Sequence, residues 1–317
     1  MGASRILYMP GLDVLKYVMA LLIVASHCNL FEEWSGLCEV FAHITESAVP
    51  TFFALSAYLF FNKLEAIPNE ANSIFKHTIR RLLIFFAIWY ILMLPYSIPN
   101  FFMKATFKEL LFVIPFGCAF GGYWFIKALI INTVILYFCR GRKSLIICTI
   151  ISLMVYFWGS YDYMYGTLAQ KLHPYYTFYY HTIAFSIGAL MARYKCHGLK
   201  KYNMVLIAAV ALIFLVSFIP AIRVLAKIAY PFFLISIFEV IKRGNLDFYK
   251  KLRGMSIMYY TLHFGLVFSY NYIFQNNEIF SNSIIKYIVV VLLVTMISLT
   301  ILKLEKKEYL SFLKYLH

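Results

Sequence analysis

The stretch Gly11–Leu30, GLDVLKYVMALLIVASHCNL, is long and apolar enough to cross a bilayer, yet it carries Asp13, Lys16 and His27. Ionisable groups at membrane depth cost several kcal/mol, so chains keep them where a site uses them. Lys16 and His27 are eleven positions apart, close to three helical turns, which places them on one face at a separation of ~16 Å along the axis. A cation near one end and a proton-transfer group deeper in describe a pocket that binds an anion at its mouth and does chemistry further in.

The rest of the chain has the same solvent preference. Of its 317 residues 62% are hydrophobic and 14% charged, against roughly half and a quarter in a soluble domain. The expected fold is all-α: a polytopic membrane protein, a single domain over 1–317, with about ten helices at ~20 apolar residues per span. Any catalysis must then take place within the bundle. Ten apolar segments can be drawn, at 11–31, 41–62, 79–97, 121–139, 144–159, 176–194, 203–220, 222–242, 254–274 and 283–303. The run 98–120 is too short and too marked by Pro and Gly to span, and reads as an interfacial or re-entrant piece. The first segment is expected to stay in the mature protein, because no small-residue cleavage site follows it.

A net charge of +15 raises the question of nucleic acid, but the basic residues fall mostly in short loops on one side, as the positive-inside rule requires. That asymmetry puts the N-terminus and the C-terminus in the cytoplasm, leaves Glu32, Glu33 and Glu39 outside, and sets Lys16 near the inner face with His27 beyond the midplane. The expected location is the bacterial cytoplasmic (inner) membrane. The six cysteines form no CxxC pair and read as buried thiols.

Several side chains could carry chemistry. Imidazole can take a proton from a hydroxyl near neutral pH or attack an acyl group itself, so His27 leads; a histidine that merely bonds a neighbouring helix is the bland alternative. Asp13 lies at i, i+3 from Lys16 and can pair with it. Ser56, in VPTFFALSAYL, can bond into a pocket, or can mark only a close helix approach. Arg80 and Arg81 can grip phosphates through paired donors, or can be ordinary inner-side charge. Tyr123 and Trp124 suit an outer aromatic belt, and Lys127 lies about one turn inside. These three, with Glu46, are the candidate acceptor-binding groups. Ser256, Tyr260 and His263 share a face in GMSIMYYTLHFGLVF.

Taken in order, LDVLKYVMALLIVASH (Leu12–His27), VPTFFALSAYL (Val49–Leu59), IRRLLIFFAIW (Ile79–Trp89), YWFIKALI (Tyr123–Ile130) and SIMYYTLH (Ser256–His263) resemble the membrane-bound acyltransferase family 3. The resemblance implies ten core helices and transfer of an acyl group, usually from cytoplasmic acetyl-CoA, to a hydroxyl of a cell-envelope glycan or its lipid-linked precursor. The family's first helix carries Arg, ten residues, then His; here Lys16 stands in the Arg position, keeping the charge without the bidentate fork, and His27 matches the His. The family's Ser-Gly is Ser56-Ala57 here. Arg80 and Arg81 match the basic positions that face the CoA phosphates. The expected catalytic set is His27, Asp13, Ser56, Tyr260 and His263, with Ser56, Tyr260 or His263 as oxyanion donors. Lys16, Arg80 and Arg81 are expected to bind the donor, and no metal is expected. Direct transfer and an acyl-histidine route both remain open. The expected partners are the bilayer, acyl-CoA and a glycan acceptor, with no nucleic acid; a homo-oligomer is compatible with the chain. The rival reading is a transporter or flippase of a lipid-linked glycan.

Overall fold

The computed structural model describes residues 8–98, 103, 106–107, 124–165, 181–194, 203–241, 245–274 and 277–316. Among them the secondary structure is helical, with no strand. Most of the expected re-entrant piece 98–120, and Tyr123, lie outside the described residues. The helices are α1 (Pro10–His27), α2 (Ser35–Thr45), α3 (Ala48–Ala66), α4 (Ala71–Leu92), α5 (Leu94–Ser97), α6 (Trp124–Phe138), α7 (Arg142–Tyr165), α8 (Thr182–Arg193), α9 (Asn203–Val216), α10 (Pro220–Phe238), α11 (Leu246–Phe274), α12 (Glu278–Ser281) and α13 (Ser283–Leu304).

Among the described residues four stretches are long and apolar enough to cross a membrane: Pro10–His27, Ser35–Ala66, Arg142–Ser160 and Ser283–Leu304. The second is interrupted between α2 and α3, so the single span expected over 41–62 is two helices. On α13 the side chains of Ile288, Leu292, Met296 and Leu299 form an exposed apolar stripe at helical spacing, the face a helix turns to lipid rather than to water. Helices α4 and α11 are longer than their apolar stretches. At 29 residues α11 rises ~44 Å, well beyond a hydrocarbon core of ~30 Å. The segment expected at 254–274 continues back to Leu246, because Lys250, Lys251 and Arg253 are good helix formers and Asp247 lies in the first turn, where a carboxylate is favoured.

The chain divides into two compact units, one holding Phe53–Cys196 and the other Tyr8–Phe52 with His197–His317; the boundary falls within α3. In the first, α8 packs on α7 and α6, and α4 packs on α6. A Cβ on Gly188 of α8 would sit 1.9 Å from the Ala54 carbonyl oxygen of α3, so this crossing requires glycine. Arg193 pairs with Glu65, and Thr182 donates to Asn132 at 2.7 Å.

In the second unit α1 packs chiefly on α11, and α11 on α13. Pro10 opens α1 at a position where its missing N–H costs nothing. Ala20 and Val24 of α1 and Cys28 at its cap are buried with Met255, Tyr259, Val267 and Tyr270 of α11 and Val290 and Val294 of α13. Gly11 approaches the end of α10: its N–H donates to the Ile241 carbonyl at 3.2 Å, and a Cβ would meet the Phe238 carbonyl oxygen at 1.9 Å. Gly11→Ala must therefore push α1 off α10. Overpacking of this kind costs about 1–3 kcal/mol, and thermal melts in detergent should show Gly11→Ala less stable than wild type, while Gly36→Ala, which meets nothing within 4 Å and lies in α2, should not lower the melting temperature.

Candidate active site

The position of His27 follows from how α1 stops. Asn29 takes a left-handed φ of 53°, its N–H donates to the Ser26 carbonyl at 3.1 Å, and the Leu30 N–H reaches back to Ala25 at 3.1 Å. This pair of bonds is a Schellman cap with Asn at the left-handed position. It ends the helix one residue past His27, so the imidazole occupies the last turn, the end of a helix where a cation is favoured. Phe31, at φ 71°, turns the chain again, and its N–H donates to Ser283 Oγ at 3.0 Å. Glu33 then accepts from the Ser283 hydroxyl, a carboxylate at the N-terminus of α13, where the helix dipole favours it. The hydrogen bonds from Ser283 hold the Glu33 carboxyl below its ordinary value of 4.5.

Opposite His27, α11 presents His263. The two rings lie 4.9 Å apart between centroids, tilted by 40°. Phe264 meets His27 edge-on at 5.8 Å, and the Tyr260 ring is 6.1 Å from His263. His27 is exposed, whereas His263 is 0% exposed. His263 Nδ1 lies 2.8 Å from the Tyr259 carbonyl oxygen, while its Nε2 has no hydrogen-bond partner among the described residues. The structure thus brings together three of the expected catalytic residues, His27, Tyr260 and His263, from helices more than two hundred residues apart in the chain.

Asp13 is at the other end of α1, fourteen residues from His27, which is roughly 21 Å on a helix; it is not a partner of that imidazole. Its carboxylate accepts Arg253 Nε at 3.0 Å, Arg253 Nη2 at 2.8 Å and the Tyr8 hydroxyl at 2.7 Å. Lys16 Nζ is more distant, at 3.9 Å, so the pair expected at i, i+3 is secondary to one made with α11. The Arg253 guanidinium also lies over the Tyr8 ring at 5.2 Å. Burial, and then the Asp13 carboxylate, push the Tyr8 hydroxyl up to about 12, so it remains a donor.

The remaining expected residues are placed as follows. Glu46, at the break between α2 and α3, accepts Arg223 at 2.8 and 2.6 Å and Lys227 at 3.2 Å. Near it His43 is buried, 3.2 Å from Ser217 Oγ through Nδ1 and stacked on Phe218 at 4.3 Å. In the other unit Ser56 is half-buried, and Lys127 is buried with its ammonium 5.5 Å from the centre of the Phe86 ring. Trp124 stacks on His181 at 5.2 Å, and His181 on Phe53 at 5.1 Å. Arg80 and Arg81 are exposed. Arg80 lines an open groove of about 470 Å³ together with Asn72, Ser73, Lys76 and His77, all on one face of α4. The sequence reading missed Arg253, Arg223, His43 and His181 as site-forming groups. An intramembrane histidine count would have flagged His43 and His181, whereas no local spacing signals the two arginines.

A family profile described as an acyltransferase domain matches residues 9–303, nearly the whole chain. No curated protein and no solved structure matches it.

Two expectations follow from the two ends of α1. Arg253→Ala removes charge-assisted bonds worth about 2–3 kcal/mol and should lower the melting temperature; in a double-mutant cycle with Asp13→Ala the two losses should fall short of additive by more than ~0.5 kcal/mol, and additive losses would show that the pair is not energetically coupled. Because the Glu33 carboxyl is held low, its stabilisation is present above pH 4.5 and is lost as the pH falls through the lowered value. The melting-temperature gap between wild type and Glu33→Gln should therefore narrow as the pH is taken below 4.5, which a pH series of melts would measure.

Proposed function

The chain belongs to this acyltransferase family, and from that membership we propose that it transfers an acyl group, acetyl from acetyl-CoA, to a hydroxyl of a cell-surface polysaccharide or its lipid-linked precursor, with His27 as the reacting imidazole. The apolar helices and the family together make it a multi-pass membrane acyltransferase. The observation that carries the assignment of chemistry is the imidazole pair: an exposed His27 backed by a fully buried His263 at the capped end of an apolar helix.

The acceptor hydroxyl gives its proton to the free nitrogen of His27 as its oxygen bonds to the thioester carbonyl carbon. The carbon–sulfur bond then breaks, and the proton leaves with the thiol sulfur. In the alternative route the imidazole takes the acyl group first and passes it on. Either way charge develops on the carbonyl oxygen, and Tyr260, whose ring lies 6.1 Å from that of His263, carries a hydroxyl able to donate to it. The phosphates of the donor suit the basic face of α4, where Lys76, His77 and Arg80 converge on one groove with the amide and hydroxyl of Asn72 and Ser73; Arg81 and Lys16 add positive charge on the side expected to face the cytoplasm. Glu46, bridging Arg223 and Lys227, and Trp124 are the groups proposed to meet the acceptor.

Purified protein incubated with labelled acetyl-CoA and an envelope glycan extract should yield a glycan heavier by one acetyl group, seen by mass measurement. His27→Ala should fold normally and lose at least about 10²-fold in rate, the usual contribution of a positioned base; full activity in that variant would overturn the role of His27. Saturating acetyl-CoA should raise the melting temperature, since a ligand that binds the native state stabilises it. Absence of both the shift and the labelled product would favour transport of a glycan over its acylation.

A further inference from the structure

Both nitrogens of His263 can be assigned from their surroundings. Nδ1 lies 2.8 Å from the Tyr259 carbonyl oxygen. A carbonyl oxygen has no proton to give, so Nδ1 carries the hydrogen and donates it. In the neutral ring Nε2 is then a bare lone pair, able to accept and unable to donate. That lone pair is buried without a partner among the described residues, on a side chain that is 0% exposed. Buried acceptors are almost always satisfied, and an exception calls for an explanation. The Tyr259 carbonyl gives none: on a helix it already accepts the backbone N–H of residue 263, so a histidine is not needed there to satisfy it. The proton-bearing ring facing His263 is His27, with centroids 4.9 Å apart. His27 is exposed and in the last turn of α1, so that a rotation about its side-chain torsions would bring an N–H to the waiting nitrogen.

We infer that His263 is a positioning residue for His27: its Nε2 accepts a hydrogen bond from one His27 nitrogen and so fixes the tautomer in which the other nitrogen turns a lone pair to the acceptor hydroxyl. This inference rests on the acyl-transfer reading above and deepens it. A neutral His263 cannot supply the oxyanion donor expected from the sequence, because its single N–H is committed to Tyr259; the oxyanion role passes to other groups. As His27 takes the hydroxyl proton it becomes an imidazolium, and its N–H toward His263 becomes a stronger donor. His263 stays neutral in its buried position, and the proton leaves His27 by the same nitrogen that received it. The second ring does for the first what a carboxylate does behind the imidazole of a hydrolytic triad, without adding a charge.

The test uses three variants of the full chain in detergent. His263→Phe keeps a ring of similar size and removes the acceptor, and kcat should fall by about 10²-fold with KM for both substrates within about threefold. His263→Gln returns a carbonyl oxygen near the place of Nε2 and should recover kcat to within about tenfold of wild type. A folded His263→Phe with wild-type kcat, or a Gln variant no better than Phe, overturns the inference. Should the Phe variant fail to fold, the ¹⁵N shifts of His27 in the wild-type protein decide it: a single neutral tautomer supports the inference, and a mixture overturns it. His27→Ala separates this from the parent reading. If it is fully active, the acyl-transfer role of His27 fails; if it is dead while His263→Phe is fully active, only the inference about His263 fails.

Discussion

Within hydrocarbon no water is at hand to satisfy a polar group, so each one must find its partner in the protein. Most of the specific contacts in this chain answer that demand. Asp13 is enclosed by Arg253, Tyr8 and Lys16, Glu46 by Arg223 and Lys227, and the Lys127 ammonium lies over the Phe86 ring. Hydroxyls fold back on their own helices, as Thr51 does to Ser47 and Thr133 to Leu129. Among the described residues the buried side-chain atoms left unmatched are Asn62 Nδ2, Ser186 Oγ, Tyr230 Oη, Ser298 Oγ and His263 Nε2, and the last of these sits behind the one histidine of α1.

The two imidazoles meet because of unremarkable packing. Ala20 and Val24 on α1 and Cys28 at its cap are small enough for α11 to come close, and the cap at Asn29 stops α1 just after His27. One ring is thereby left exposed while the other is sealed. The proposed division of labour, in which the accessible ring reacts and the sequestered one orients it, uses that difference in exposure to position a general base.

The site was legible in the sequence to the extent that it follows from helical periodicity. Lys16 and His27 on one stripe, and Tyr260 with His263 on another, are statements about a 3.6-residue repeat. The ordered blocks beginning at Leu12 and ending at His263 indicated the family that the match over 9–303 shows. Partners across helices were not legible. Arg253 read as one more inner-side charge because the apolar pattern of α11 begins at Gly254, although the helix itself starts at Leu246. Nothing in the spacing of Glu46 and Arg223, 177 residues apart, announces a bidentate pair. The break between α2 and α3 was hidden for a different reason: an apolar composition continues through it, and composition records solvent preference rather than backbone direction.

One consequence concerns the membrane rather than the chemistry. α1 is tied at its lower end to α11 by Asp13 and Arg253, and just past its upper end to α13 through Glu33 and Ser283. A slip by a single helical turn, ~5.4 Å, would break both ties at once. The depth of His27 relative to its neighbours is thus set by the protein. In a bilayer thicker or thinner than the bundle prefers, the lipid would have to stretch or thin around the helices, and the His27 ring would keep its place.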